Sequence, residues 1–438
     1  MSHYKPYPAY RDSGVEWIGQ VPEHWRVTPL KVIAETVNGT TPESGKPEYW
    51  DGDIAWYTPT DIDNEVASEL GVPRRYITQA GYESCAVKIS PPGSVILSTR
   101  APIGSVGITT IPSTINQGCR TLIPAQDVPT SYLASTLVAA REELRLRGNG
   151  TTFQELSTEA LRSLRVPMPP RSECVSIASG LDRETARFDA LIAKKTRFIE
   201  LLKEKRQALI THAVTKGLDT NVPMRDSMSE WIGEVPEHWR VCSLGYLSRI
   251  STGGTPDRKN DSYWNGEIPW VKTGEINYKI ISDTEERITD AGLSNSATFI
   301  AEPGTILMAM YGMGVTRGRV AVLGIPASFN QACAAISCSS GVHNWYVFYC
   351  LCAAYRFIRD LGNEASQVNL NLEIVSKIKV PVPPLLEQEE IEKHLVAQLQ
   401  KLDAIEQRVS NSISLIKERR SAFITAAVTG QIDLRESA

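Results

Sequence analysis

Arg100 closes a short apolar run, Gly93-Ser-Val-Ile-Leu-Ser-Thr99, and carries a planar fork of donors. Such a fork matches a pair of acceptors like the O6 and N7 edge of guanine. A comparable stretch from Gly304 onward also opens on apolar residues and goes on to Tyr311, Arg317 and Arg319. Two Asn-Gln pairs, Asn116-Gln117 and Asn330-Gln331, offer amides of the kind that engage the N6 and N7 edge of adenine. Thr58 and Thr99, with Lys272 and Thr273, add single donors and acceptors. This is hydrogen-bonding chemistry for reading a surface. It neither makes nor breaks a covalent bond.

These residues belong to a chain that spells itself twice. "EWIGQVPEHWRV" starts at Glu16 and "EWIGEVPEHWRV" at Glu230. "YWDGDIAW" (Tyr49 to Trp56) returns as "YWNGEIPW" (Tyr263 to Trp270), and "VPMPP" at Val166 returns as "VPVPP" at Val380. The offset is 214 throughout, far beyond the period of a solenoid repeat. The chain therefore reads as a ten-residue lead and two copies of one unit.

Comparing the copies separates scaffold from candidates. Between Pro92 and Gly104 the first has "PGSVILSTRAPIG", whereas Pro303 to Gly318 of the second is three residues longer, and the two agree on either side. Lys272-Thr273 stand where the first copy has Thr58-Pro59. These differences mark Thr99, Arg100, Tyr311, Arg317, Arg319, Thr58, Lys272 and Thr273 as candidate readers. The Asn-Gln pairs are identical in both copies, which favours a structural hydrogen-bonding role over base reading. The same logic makes the repeated Trp17, His24, Trp25 block and its partner Trp231, His238, Trp239 a core clasp or docking surface rather than a base-stacking platform.

Catalytic patterns are missing from the sequence. It has no NPPY-like loop, no GxxxxGK[ST] loop, no HExxH and no regular Cys/His ligand set, so neither a metal nor a cofactor is expected. "GMGVTRG" (Gly312 to Gly318) reads as a turn, since no helix clearly follows it. Asp51 and Asp53 suggest an acid pair, but the second copy has Asn265 and Glu267. The eight cysteines form no CxxC pair and are expected to be reduced thiols. A net charge of −4 gives no global signature for nucleic acid, so binding must rest on local surfaces. With no apolar run long enough to span a bilayer and no apolar signal core, the expected location is the cytoplasm.

The elements that must position these residues follow from pattern. Strands are expected over Gly93 to Arg100, Gly304 to Met310 and Gly318 to Gly324, and helices over Ser131 to Arg145 and Asn344 to Asp360. After each proline pair the chain can stay helical for some 45 residues, from Ser172 to Lys216 and from Leu385 to Thr429, with Gly217 and Gly430 placed to cap the ends. Phe188, Leu191, Ile199, Leu202 and Leu209 on the first helix match Leu402, Ile405, Val409, Ile413, Ile416 and Phe423 on the second as apolar stripes, with Lys195 a break where the second has Val409. The charged runs "KEKR" (Lys203 to Arg206) and "KERR" (Lys417 to Arg420) read as solvated faces, with phosphate contact as an alternative. The expectation is an α+β protein: heads at 1–171 and 217–384, a long helix at 172–216, and a second long helix with a C-terminal tail at 385–438. Because the second copy begins at the far end of the first helix, the helices should run antiparallel as a spacer between two heads.

Taken together, the "WIG.VPEHW" openings, the "GGTP" loop at Gly253 ("NGTTP" in the first copy), the "YW.G.I.W" blocks, the NQ pairs, the "VP.PP" hinges and the long helices resemble the DNA-specificity subunit of a type I restriction-modification system. The resemblance covers essentially the whole chain. It implies two target recognition domains reading a split, asymmetric double-stranded DNA sequence, paired helices that set the gap, and no catalysis by the chain itself. It further implies two methyltransferase subunits using S-adenosylmethionine and two restriction-translocase subunits as partners. A coiled-coil scaffold that binds only proteins is the alternative; it accounts for the helices but not for the divergent tip.

Overall fold

A computed structural model describes residues 4–62, 67–100, 102–148, 154–312, 315–361 and 369–435. The chain forms two compact units, one of residues 1–196 with 410–438 and one of residues 197–409. The sequence-based boundaries divided heads from helices, whereas compactness groups each head with a part of both helices.

In the first unit a five-stranded sheet runs in the order Ala34–Asn38, Cys119–Pro124, Val95–Ser98, Val106–Ile108, Ser68–Glu69. All neighbours are antiparallel except the last pair. A three-stranded sheet places Trp50–Tyr57 between Ser113–Ile115 and Arg75–Ile77. The second unit repeats both sheets in the same order, with Ser248–Thr252, Cys333–Cys338, Ile306–Ala309, Val320–Leu323 and Ile280–Ile281 in one, and Trp264–Val271 between Ser328–Phe329 and Glu286–Ile288 in the other. The apolar runs expected as strands are strands. The divergent stretch is the tip of an antiparallel hairpin in each unit.

The shorter helices differ from expectation at one residue. Each breaks after ten residues, giving Thr130–Ala139 and Arg141–Leu146 in the first unit, Asn344–Ala353 and Tyr355–Asp360 in the second. The long helices span Arg171–Lys216 and Leu385–Val428. Gly217 and Gly430 follow them at φ +76°, the left-handed conformation that a terminating glycine adopts without strain.

The twelve-residue block is a clasp on those helices. Trp25 is buried, and its indole N–H donates to Glu173 Oε2 at 2.9 Å while His24 Nε2 meets Oε1 at 2.8 Å. Trp239 and His238 hold Glu387 in the same way at 3.0 and 2.9 Å. Each glutamate lies in the first turn of its helix, where a negative charge also complements the helix dipole. The indole faces the terminal glycine of the other long helix: a Cβ on Gly430 would come within 3.1 Å of Trp25, and one on Gly217 within 3.2 Å of Trp239. The repeated aromatic block thus ties head to helices in both units; Trp25 and Trp239 are sealed from any base, while Trp17 and Trp231 are half-buried and donate to Arg165 O and Lys379 O.

Within each unit the helix segments are antiparallel. Phe188 meets Phe423 edge-on at 6.2 Å and Asp189 pairs with Arg420 in the first, while Arg206 pairs with Asp403 in the second. Arg206 and Arg420 are the last residues of the two charged runs and lock helix to helix, while Lys203, Glu204, Lys205, Glu418 and Arg419 are exposed and Lys417 is half-buried. The apolar stripes are only partly sealed. Leu202, Leu402 and Phe423 are buried and Phe188, Ile199, Leu209, Val409, Ile413 and Ile416 half-buried, but Leu191 and the equivalent Ile405 remain 43% and 38% exposed. Two helices bury a narrow seam, and residues flanking it have no third element to cover them.

Candidate nucleic-acid interface

The hairpin tip of the first unit rests on the turn that carries Asn116 and Gln117. Asn116 builds that turn: its N–H donates to Tyr57 O and its Oδ1 accepts from Gly118 N, both at 2.9 Å. The second unit repeats this with Asn330, which bonds Val271 O and accepts from Ala332 N. Gln117 and Gln331 are exposed, each accepting from a threonine of the glycine loop, Thr41 and Thr255. The asparagines are therefore structural, and only the glutamines of the two pairs face outward.

Thr99 is fully buried. Its N–H donates to Gly118 O at 2.8 Å and its carbonyl accepts from Leu156 N at 2.9 Å, so it stitches the tip to its neighbours by main chain. Arg100 comes next and is half-buried. A Cβ on Gly118 would stand 2.9 Å from Arg100 Nε and 3.2 Å from Pro59 Cγ, so the guanidinium lies over a residue that leaves it room. Among the described residues it has no hydrogen bond or ion pair, which leaves its forked donors unspent.

The second unit is built differently at the same place. Ala332 takes the position of Gly118, and Tyr311 that of Arg100, 40% exposed. Arg317 does not face outward: it is 7% exposed, aligned with the buried Ile103 of the first unit, and its Nη2 donates to Arg359 O at 2.5 Å. A position just before a left-handed glycine, Gly104 or Gly318, plugs the core in both units. Arg319 is half-buried and donates to Asn277 Oδ1 at 3.1 Å. The GMGVTRG turn lies partly outside the described residues.

Thr58 and Lys272 end the long central strand and begin a short 3-10 turn. Thr58 N and Oγ1 both bond Asp61 Oδ2, at 2.8 and 2.7 Å, whereas Lys272 N bonds Glu275 and its Nζ meets Glu285 and Glu286 at 2.9 Å each. Hydrogen bonds to Glu285 and then Glu286 raise the Lys272 ammonium above its ordinary range. Thr273 is half-buried beside it.

Comparison of the copies missed three residues of this surface. Arg120, absent from the second unit where Ala334 stands, bonds Gln117 O, Cys119 O and Thr158 Oγ1 at 2.8 to 2.9 Å. Gly118 and Thr41 are the others, and the NQG against NQA spelling was the available signal for the first. Asp51, offered as half of an acid pair, has φ 61°, and its counterpart Asn265 φ 60°. Asp and Asn are the residues that tolerate this conformation best after glycine, which explains the exchange without any shared chemistry. Cys119, the cysteine nearest the tip, is a poor nucleophile, since burial pushes its thiol up to about 12. Among the described residues no three His, Cys, Asp or Glu side chains form a metal-holding group, and no helix is long and apolar enough to cross a membrane.

Fold and site together define a duplicated module whose two units share a scaffold and differ at one hairpin tip. The sequence profile of the type I restriction modification DNA specificity domain matches residues 22–201 and again 236–415, in register with the 214-residue repeat. The chain belongs to that family, and its role is recognition of DNA targets as a specificity subunit, with catalysis in other subunits. It is 27% identical over 436 residues to the type I restriction enzyme MjaIX specificity subunit of Methanocaldococcus jannaschii, covering 96% of both chains. A chain from a solved structure on the assembly and conformational transition of the type I R-M system matches 93% of this chain and 98% of its own at TM-score 0.69 and 15% identity. The HsdS subunit from Thermoanaerobacter tengcongensis matches 94% and 98% at TM-score 0.51 and 16% identity.

Proposed function

We propose that each unit reads one part of a split, asymmetric DNA sequence, and that the long helices, which contribute to both units, fix the gap between the parts. One observation carries this reading. Two units with the same strand order and the same clasp differ at the hairpin tip, in its length, in Arg100 against Tyr311, and in the Gly118 or Ala332 beneath it. A shared scaffold with an altered reader is what two unlike half-sites require. In the first unit Arg100 and Gln117 are the base-reading candidates, with Arg120 positioning Gln117. Tyr311, Gln331 and Arg319 are their counterparts in the second, while Thr99, Asn116, Asn330 and Arg317 hold the surface in shape.

The reading extends to partners. Leu191, Phe198, Leu201, Ile405 and Leu415 expose apolar surface along the helices, suited to docking two methyltransferase subunits that carry S-adenosylmethionine, with two restriction-translocase subunits joining them in the cytoplasm. The test is selection from randomised duplexes by the chain bound to its methyltransferase subunits. The expected outcome is a two-part asymmetric preference and adenine methylation within it, with no methyl transfer by the chain alone. Methylation without sequence preference would leave only a protein scaffold.

A further inference from the structure

Each unit stacks an arginine on a pair of tryptophans, and the two arginines come from different places in the chain. In the first unit the Arg75 guanidinium lies 3.5 Å from the Trp50 ring centroid and 5.7 Å from that of Trp56, whose rings meet edge-on at 5.0 Å. In the second, Arg258 lies 3.9 Å from Trp264 and 5.0 Å from Trp270, an equally edge-on pair at 5.1 Å. The indole N–H groups anchor both pairs to the glycine loop, on Glu43 O and Thr40 O in one unit and on Asp257 O and Gly254 O in the other. The tryptophans are equivalent. The cations are not.

Strand register shows what changed. Arg75 pairs with Trp56 and Glu286 with Trp270, so an arginine and a glutamate occupy one position. The residue before each is exchanged as well, Arg74 for Glu285, and Ser44 stands where the second unit has Arg258. The second unit neutralises itself: Arg258 meets Glu286 at 2.5 Å, and Lys272 spans Glu285 and Glu286. In the first unit Arg74 sits 3.8 Å from Asp61, but Arg75 has no acidic partner among the described residues. Its stacked face is satisfied by the indoles, which leaves the in-plane N–H donors directed away from the rings.

We propose that Arg75 holds a backbone phosphate of the DNA bound by the first unit, and that the second unit has closed the equivalent place with Glu286. This rests on the DNA-reading assignment above and adds a contact that carries no base information. A guanidinium fixed flat on a ring loses little freedom when an oxyanion takes its edge, and phosphate suits its forked donors.

Salt dependence tests it. Duplex binding by the complex with methyltransferase subunits is measured between about 50 and 200 mM salt. Arg75→Ala should weaken binding about tenfold and make the negative slope of log K against log salt shallower by about 0.9, with base preference unchanged. Arg75→Lys should restore the slope, and Arg258→Ala should leave it as in the wild type. A folded Arg75→Ala complex with the wild-type slope, or one with altered base preference, overturns the phosphate site alone. A wild-type complex with no sequence preference overturns the DNA reading itself, and this contact with it.

Discussion

Trp25 and Trp239 do the same work in the two units, whereas Arg100 and Tyr311, at equivalent places on the hairpin tips, do not. Each tryptophan is sealed between the first turn of one long helix and the terminal glycine of the other, held by a glutamate and flanked by a histidine. Any change there would disturb head and helices together. The tip is tied down by main-chain bonds from Thr99 or Met310 to the turn below, so the side chain that follows, Arg100 or Tyr311, can change without cost to the fold. Duplication has kept the clasp, which is held from all sides, and varied Arg100 against Tyr311, which the backbone alone fixes in place.

The largest expected effect is at the clasp. Trp25→Ala and Trp239→Ala should each destabilise the protein by about 3–5 kcal/mol, the range for losing a buried indole, as measured by denaturant unfolding. A loss under about 1 kcal/mol in either unit would break the equivalence of the two clasps. Glu173→Ala should cost about 2–3 kcal/mol, and Glu387→Ala less, because the Glu387 side chain is 27% exposed against 10% for Glu173. Equal losses would mean that burial does not set the strength of this hydrogen-bonded pair.

Gly118→Ala is a smaller and more selective change. The new methyl would meet Arg100 Nε, the far part of a flexible side chain, so folding should persist while the guanidinium is displaced. Recognition of one half-site should weaken by about 1 kcal/mol, seen in selection from randomised duplexes, and the other should be unaffected. Ala332→Gly should have the smallest effect, a stability loss of about 0.5–1 kcal/mol with no change in sequence preference. A shift in preference from Ala332→Gly would show that the second unit reads through the same contact as the first.

Much of this architecture was legible because repetition exposes it. The 214-residue offset, the long uninterrupted helices, their glycine ends and the hairpin strands all follow from pattern, and the structure has them where expected. The breaks at Ala140 and Ala354 were not legible, since nothing in "LVAAREE" or "CAAYRF" forbids a continuous helix. Individual readers were less legible still. Arg317 and Arg100 look alike in sequence, yet one plugs a core position and the other lies unpaired over a glycine, a difference set by alignment to Gly318 and Gly118 rather than by residue type. The charge-reversed pairs Arg74-Arg75 and Glu285-Glu286 escaped notice because their partners, Asp61 in one unit and Arg258 and Lys272 in the other, are distant in sequence.

The central claim is that the units read separate half-sites independently, and Arg100→Ala tests it most directly. The measurement is the full sequence preference of the variant, bound to its methyltransferase subunits, on randomised duplexes. One half-site should lose about 1–3 kcal/mol of discrimination at a single base pair while the other keeps its wild-type preference. A preference altered in both halves, or in neither, would contradict the account.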